Sequence, residues 1–419
     1  MRQAYSLLMY LLVPWLLLRL WWKGKRIPSY RRRISERFAL NKVPQDGVDV
    51  WIHAVSLGEV IAVTPLINAL LGKQRKIMVT TMTPTGSEQV RQRFGSSITH
   101  QYVPYDLPWI VKRFYKNIRP RSVVFVETEL WPNLIYYAHK AKIPLFLVNA
   151  RLSERSYQGY KKLKFFFQLM LGQFDAILTQ SEDDAKRYQA LGAPKEKVQV
   201  VGNIKFDLQT QAANPGVFRQ LKTRWGSHRT VIIIASTHDN EEELILSGLG
   251  TLQAAIPDVL LLIAPRHPER FQQIYQLSRQ MKFNTGLRSK IDTLKPDNEV
   301  IVLDSLGELL GFYQVSDYAF VGGSLIPVGG HNVLEPIAME VPVLTGPYIH
   351  NFKTICCDLM EAKAIESVRH VNELIERIVS LHQDKERKNS LVRNATLVLE
   401  KNKGAVARYA EKIEVALQG

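Results

Sequence analysis

Residues 321–336 read V-G-G-S-L-I-P-V-G-G-H-N-V-L-E-P. Four glycines and two prolines in this run preclude a helix interior or an ordinary central strand. The stretch is therefore a shaped loop between the apolar run 318–321 and a helix that begins near Asn332. Backbone can approach a ligand closely at such a loop. Its amides, with those of the next helix's first turn, suit an anionic group such as a phosphate. The spacing matches neither the dinucleotide fingerprint nor the triphosphate loop ending in Gly-Lys-Ser/Thr, so pattern alone leaves a structural turn equally open. What favours a ligand is the density of polar groups, Ser324, His331, Asn332 and Glu335, in so few positions.

Strand, loop and helix recur in both directions from this point. Towards the amino terminus the apolar runs 48–54, 77–81, 122–126, 145–149, 175–179 and 198–201 alternate with helical patterns, and 231–235, 259–264, 300–303, 318–321 and 343–345 do so around the loop. Short apolar strands alternating with helices predict parallel sheets covered on both faces. The fold expected is α/β, with two Rossmann-like domains facing a central cleft. The boundaries read as 40–203 for the first domain, 204–216 for a polar hinge and 217–400 for the second. A final helix spans 401–419, and its packing is left open.

Residues 1–39 precede these domains. From Ala4 to Trp22 the chain is apolar except for Ser6, Pro14 and Arg19, long enough for a membrane-anchor helix. A secretory signal fits poorly, because no small-residue cleavage site follows and the cations come after the apolar run. Lys23, Lys25, Arg26, Arg31, Arg32, Arg33 and Arg37 form a basic neck, which by the positive-inside bias keeps the bulk of the protein cytoplasmic and meets anionic lipid. The whole chain has 55 Lys and Arg against 39 Asp and Glu, a formal charge of +16. That surplus suits anionic lipid or a phosphorylated substrate. A nucleic-acid platform is not indicated, because aromatic residues do not interleave the basic patches. The two cysteines, Cys356 and Cys357, are adjacent, so they neither staple distant segments nor supply a thiolate cluster.

In open parallel sheets ligands collect beyond the carboxyl ends of the strands, and the chemically interesting residues fall there. The first domain offers Ser56, Gly58 and Glu59, then Glu127 and Glu129. Glu59 reads either as the acid of an S-x-x-E capping box or as a general base whose anion the helix end stabilises. Glu127 and Glu129 would share one side of an extended segment, unless the strand end breaks the alternation. Lys205 lies where it could reach a phosphate. The second domain offers His238, then Arg266 and His267, then the glycine loop. Arg266 suits a bidentate phosphate contact, and Glu335 suits the two hydroxyls of a ribose, although Asn332 to Glu335 also has capping-box form. His238 beside the acidic run 241–243 lacks any established metal spacing, and no divalent metal is expected.

Several motifs together carry a more specific pattern. H-A-V-S-L-G-E at 53–59, V-E-T-E-L-W-P-N at 126–133, V-N-A-R-L-S at 148–153, G-N-I-K-F-D at 202–207, A-P-R-H-P-E at 264–269 and the loop at 322–336 resemble the 3-deoxy-D-manno-octulosonate (Kdo) transferases of lipopolysaccharide synthesis. The resemblance implies a GT-B glycosyltransferase anchored at the cytoplasmic face of a Gram-negative inner membrane. The implied donor is CMP-Kdo and the acceptor an acylated glucosamine-disaccharide bisphosphate precursor of lipid A, with no cofactor. It also implies that Glu59 is the general base, with Ser56, Gly58, Glu129, Arg151 and Lys205 around the substrates. Arg266, His267, Gly322, Gly323, Ser324, Gly329, Gly330, His331, Asn332 and Glu335 are implied on the donor side. Two other readings share the architecture or the charge: a UDP-sugar-dependent glycolipid transferase and a non-catalytic glycolipid-binding module.

Overall fold

The computed structural model describes residues 1–41, 47–207 and 215–418. Its chain divides into two compact units, Met1–Asp207 together with Asn402–Gly419, and Leu208–Lys401. Of the expected hinge, 208–214 lie outside the described residues, while Ile204–Phe206 form a 3-10 turn and a helix starts at Pro215.

The first unit carries strands β1 (Val48–His53), β2 (Ile77–Thr81), β3 (Thr99–Tyr102), β4 (Pro120–Val126), β5 (Leu145–Ala150), β6 (Ala176–Thr179) and β7 (Val198–Val200). They lie parallel in the order β3-β2-β1-β4-β5-β6-β7. Alternation within β1 explains why both faces are covered. Val50 and Ile52 enter one apolar layer with Val63 and Ile67, while Trp51 enters the other with Phe114 and Phe125. The order reverses direction between β1 and β4, so the loops that leave these two strands run to opposite faces and open a crevice between them.

The second unit repeats the plan with β8 (Thr230–Thr237), β9 (Val259–Pro265), β10 (Thr285–Leu287), β11 (Val300–Val302), β12 (Tyr318–Val321), β13 (Val343–Thr345) and β14 (Glu366–Ser367). The order is β10-β11-β9-β8-β12-β13-β14, again parallel, with the reversal between β8 and β12. Sequence periodicity gave no sign of β3, β10 or β14, all short strands at or next to a sheet edge. The helical stretch between β8 and β9 is two helices, Glu241–Ser247 and Leu249–Ala255. They break at Gly248, where a Cβ would run into the Ile375 side chain.

The closing helix, Ala405–Gln418, belongs to the first unit. Tyr409, Ile413 and Leu417 complete the layer that covers Val50 and Ile52, and Arg75 holds Glu414 at 2.6 Å. At the other end of the chain, Arg2–Arg26 form one helix, apolar and long enough over Arg2–Lys25 to cross a membrane. One flank, with Met9, Val13, Leu16 and Leu20, packs on the first unit's core. Its start is fixed by polar bonds: the Arg2 guanidinium donates to Asn133 Oδ1 at 2.8 Å, and the Asn133 side-chain amide donates to the Ser6 hydroxyl at 3.0 Å. The opposite flank leaves Leu7, Leu11, Trp15, Leu18 and Trp22 exposed.

The basic neck is only partly a surface. Lys23, Lys25, Arg31 and Arg32 are exposed, but Arg33 pairs with Glu36 at 2.6 Å and Arg37 is buried. The expectation that all these cations meet lipid is therefore corrected. Two 3-10 turns over Pro28–Arg31 and Ile34–Phe38 coil the segment back onto the domain and turn Arg37 inward.

Candidate active site

In the first unit the polar groups gather at the crevice between β1 and β4. Ser56 caps the helix Leu57–Gly72 by accepting from the Glu59 amide. The Glu59 carboxylate closes the motif: Val55 N–H donates to Oε2 at 2.7 Å and the Ser56 hydroxyl to Oε1 at 3.0 Å. Capping thus holds the carboxylate in one orientation and is compatible with a role as base. The charge expectation is reversed, however. Burial, then the neighbouring Glu129, push the Glu59 carboxyl up to about 8, outweighing the helix end and the two hydrogen bonds. Gly58 keeps the approach open, since a Cβ there would meet nothing nearer than Ser56 Oγ at 3.9 Å.

Extended alternation does not set the placement of Glu127 and Glu129, although both carboxylates act on Glu59 and Glu127 acts on Glu129. The strand ends at Val126 and Glu127 takes φ 59°, which breaks the extended alternation. Burial raises the Glu127 carboxyl, partly offset by the Lys205 and Arg151 charges. Burial also raises Glu129, which accepts from Trp131 Nε1–H at 2.7 Å. Burial lowers Lys205, countered by Glu127. The structure therefore brings Ser56, Glu59 and Glu129 to one locus and Arg151 and Lys205 to Glu127 beside it. His53, by contrast, is a core residue: fully buried, hydrogen-bonded to Thr80 and held down to about 3 by desolvation.

In the second unit the equivalent crevice lies between β8 and β12. The loop after β12 takes its shape from Glu241. The Gly323 and Leu325 amides donate to its carboxylate at 2.7 and 2.9 Å, with the Ser324 amide at 3.1 Å. Gly329 and Gly330 N–H both donate to the Gly323 carbonyl, and Gly329 at φ 114° takes a conformation foreign to side-chain-bearing residues. The expectation that the glycine amides greet a ligand phosphate is corrected here, because all four are bonded internally: Gly323 to Glu241, Gly322 to the Ala235 carbonyl, and Gly329 and Gly330 to the Gly323 carbonyl. Ser324 is fully buried and its hydroxyl donates to the Val321 carbonyl at 2.6 Å, so it shapes the loop from within. In the sequence Glu241 stands out only as part of the acidic run 241–243. Only the loop folding back over it reveals its part.

Beyond the loop, the helix begins at Leu334, two residues later than expected, because Asn332 Oδ1 accepts from the Leu334 amide. The Asn332 side-chain amide donates to Glu335 Oε1 at 3.1 Å. Burial raises the Glu335 carboxyl, with the Arg266 charge opposing. Arg266 and His267 are exposed just past the end of β9. His331 stacks on His238 with ring centroids 5.0 Å apart and Nε2 atoms 2.8 Å apart. Desolvation, then the His238 and Arg266 charges, bring His331 down to about 4, so its imidazole is neutral near pH 7. Arg266, His331, Asn332 and Glu335 thus bring a cation, imidazole N–H and a carboxylate to one strand-end crevice. Among the described residues no group of three or more His, Cys, Asp or Glu side chains could hold a metal ion.

Comparison with known proteins places this arrangement in context. The family pattern described as 3-deoxy-D-manno-octulosonic-acid transferase (kdotransferase) matches residues 32–208. The chain is 40% identical over its full length to 99% of the 3-deoxy-D-manno-octulosonic acid transferase of Haemophilus influenzae, and 30% identical over 99% of both chains to that of Bordetella pertussis. Among solved structures, a glycosyltransferase from Rickettsia africae matches with a TM-score of 0.55 at 13% identity, covering 89% of this chain and all of that one. The C-terminal CMP-Kdo binding domain of WaaA from Acinetobacter baumannii is 33% identical, covering 44% of this chain and 97% of its own, with a TM-score of 0.43. The fold, two parallel seven-stranded α/β units, is of the GT-B kind.

Proposed function

Because this chain belongs to the 3-deoxy-D-manno-octulosonic acid transferase family, we propose that it moves Kdo from CMP-Kdo to a hydroxyl of an acylated glucosamine-disaccharide bisphosphate, with Glu59 as general base. The Glu59 carboxylate takes the hydroxyl proton. The freed oxygen bonds to the anomeric carbon of the donor, and the bond from that carbon to the phosphate oxygen breaks, releasing CMP as a monoester anion. One displacement of this kind inverts the centre. The leaving group is already good, so the protein's task is to orient the reactants and to stabilise charge that grows on the phosphate.

The observation that carries this reading is the setting of Glu59. A carboxylate that loses its proton only near pH 8 is a far stronger base than an exposed one, and the Val55 amide and Ser56 hydroxyl hold it at a topological reversal where a substrate can reach it. On the donor side Arg266 and the His238–His331 pair serve the phosphate and Glu335 serves the ribose. Lys205 and Arg151 serve acidic groups of the acceptor. The apolar helix with Lys23, Lys25, Arg31 and Arg32 beside it supports placement at the cytoplasmic face of the inner membrane.

The test is Glu59→Gln in the purified full-length protein. Product formation from CMP-Kdo should fall by at least a thousandfold while CMP affinity is retained. Transfer at the wild-type rate refutes the assignment. Inhibition by CMP in preference to UDP is expected in the same assay.

A further inference from the structure

The first unit contains a cavity of about 490 Å³ that the proposed chemistry does not use. One wall is the inward flank of the N-terminal helix, with Met9, Leu12 and Leu16. Phe166, Phe167 and Met170, from the helix Lys164–Leu171, line it as well. Surfaces of this kind are made for hydrocarbon. Polar residues interrupt the lining, among them Arg37, Tyr105, Thr128 and Glu129. Arg37 and Tyr105 are 3% and 6% exposed, and among the described residues neither Arg37 Nε nor the Tyr105 hydroxyl has a hydrogen-bond partner. Arg37 keeps one bond, to the Met82 carbonyl at 3.1 Å, and Glu36, its neighbour in sequence, is engaged by Arg33. Buried donors without acceptors are costly, and an oxygen supplied by a ligand would satisfy them.

The place of the cavity narrows the choice of ligand. Glu129 lines it, and Glu129 is the strongest charged neighbour of Glu59. A chain lying in the cavity would therefore belong to the molecule whose hydroxyl sits at the base. We propose that this cavity takes one acyl chain of the acceptor lipid, with Arg37 Nε and the Tyr105 hydroxyl donating to oxygens of the linkage between chain and sugar. The assignment rests on the acceptor reading given above. It makes the N-terminal helix part of the substrate site: its inner flank holds substrate hydrocarbon and its outer flank meets the membrane.

A glucosamine-disaccharide bisphosphate bearing a diazirine at the end of an acyl chain tests this on the full-length protein in detergent, with Kdo transfer assayed in the same sample. After irradiation, label is expected on Met9, Leu12, Leu16, Phe167 or Met170. Label confined to the outer flank, Leu7, Leu11, Leu18 and Trp22, overturns the cavity assignment while product formation leaves the transferase reading standing. Displacement of the label by unlabelled phosphatidylethanolamine as readily as by unlabelled acceptor also overturns it, since the cavity would then hold bulk lipid. A second arm needs no modified chemistry. Each buried methylene is worth about fourfold in affinity, so shortening the buried chain by two carbons should lower kcat/KM about fifteenfold, and equal values across chain lengths reject the proposal. No transfer to any of these acceptors, with CMP-Kdo present, would sink the acceptor reading and the cavity with it.

Discussion

In the proposed mechanism a single carboxyl sets the pH dependence of transfer. Glu59 must be ionised to act as a base, and burial beside Glu129 delays that ionisation to about pH 8. The logarithm of kcat/KM should therefore rise with unit slope through neutrality and level off above about pH 8. Glu129→Gln removes the strongest charged contribution to the shift and should move the break to lower pH. A pH–rate profile of both proteins checks this, and an unmoved break refutes the coupling. Stability follows the same proton with a defined sign. The folded carboxyl holds its proton more tightly than the unfolded one, so the group stabilises the fold below about pH 4.5, and that contribution is lost as pH rises through about 8. Glu59→Gln should accordingly melt higher than wild type at pH 8, with the gap closing near pH 5. The conflict is of the kind expected where a fold accepts strain for the sake of chemistry.

At the level of elements, the loop after β12 depends on one acidic side chain. Glu241 collects the amides of Gly323, Ser324 and Leu325, so Glu241→Ala would leave three buried donors unmet and the loop without its template. CMP affinity should fall by more than tenfold, with faster amide exchange across 322–330. Unchanged exchange would mean the loop holds its shape by other bonds. The same element shows what was legible in advance. The glycines announced a shaped loop and the apolar runs announced both sheets, because sterics and burial on two faces leave local marks in sequence. What could not be read was the partner from 82 residues earlier, since a carboxylate in a first helical turn looks alike whether it faces water or a loop. Strands such as T-H-Q-Y at β3 were equally silent, because their pairing depends on the neighbour β2 and not on their own periodicity. The inward turn of Arg37 was hidden for the same reason: a run of cations reads as surface until the chain coils back.

For the molecule as a whole, the exposed cations of the neck and the outer flank of the first helix act together. Replacing Lys23, Lys25, Arg31 and Arg32 by Gln should weaken binding to anionic vesicles by up to about 1 kcal/mol per charge, and the difference should vanish at high salt. Sedimentation with vesicles of defined composition measures it, and salt-independent binding would count against an electrostatic role. The first unit is also built from both ends of the chain. Ending the protein at Lys401 removes Tyr409, Ile413 and Leu417 from the layer over β1, each worth roughly 1.5–3 kcal/mol of burial. The truncated chain should melt at lower temperature in calorimetry or aggregate outright, and an unaltered melt would show that the last helix is dispensable.

That return of the chain also orders events on the ribosome. When residue 207 has emerged, Val63 and Ile67 already lie on the face that carries Val50 and Ile52, but the part that Tyr409, Ile413 and Leu417 will cover stays open until almost two hundred further residues have been translated. The nascent protein therefore carries an incompletely covered apolar layer through nearly half of its synthesis, a period in which such surface is prone to association with neighbouring chains.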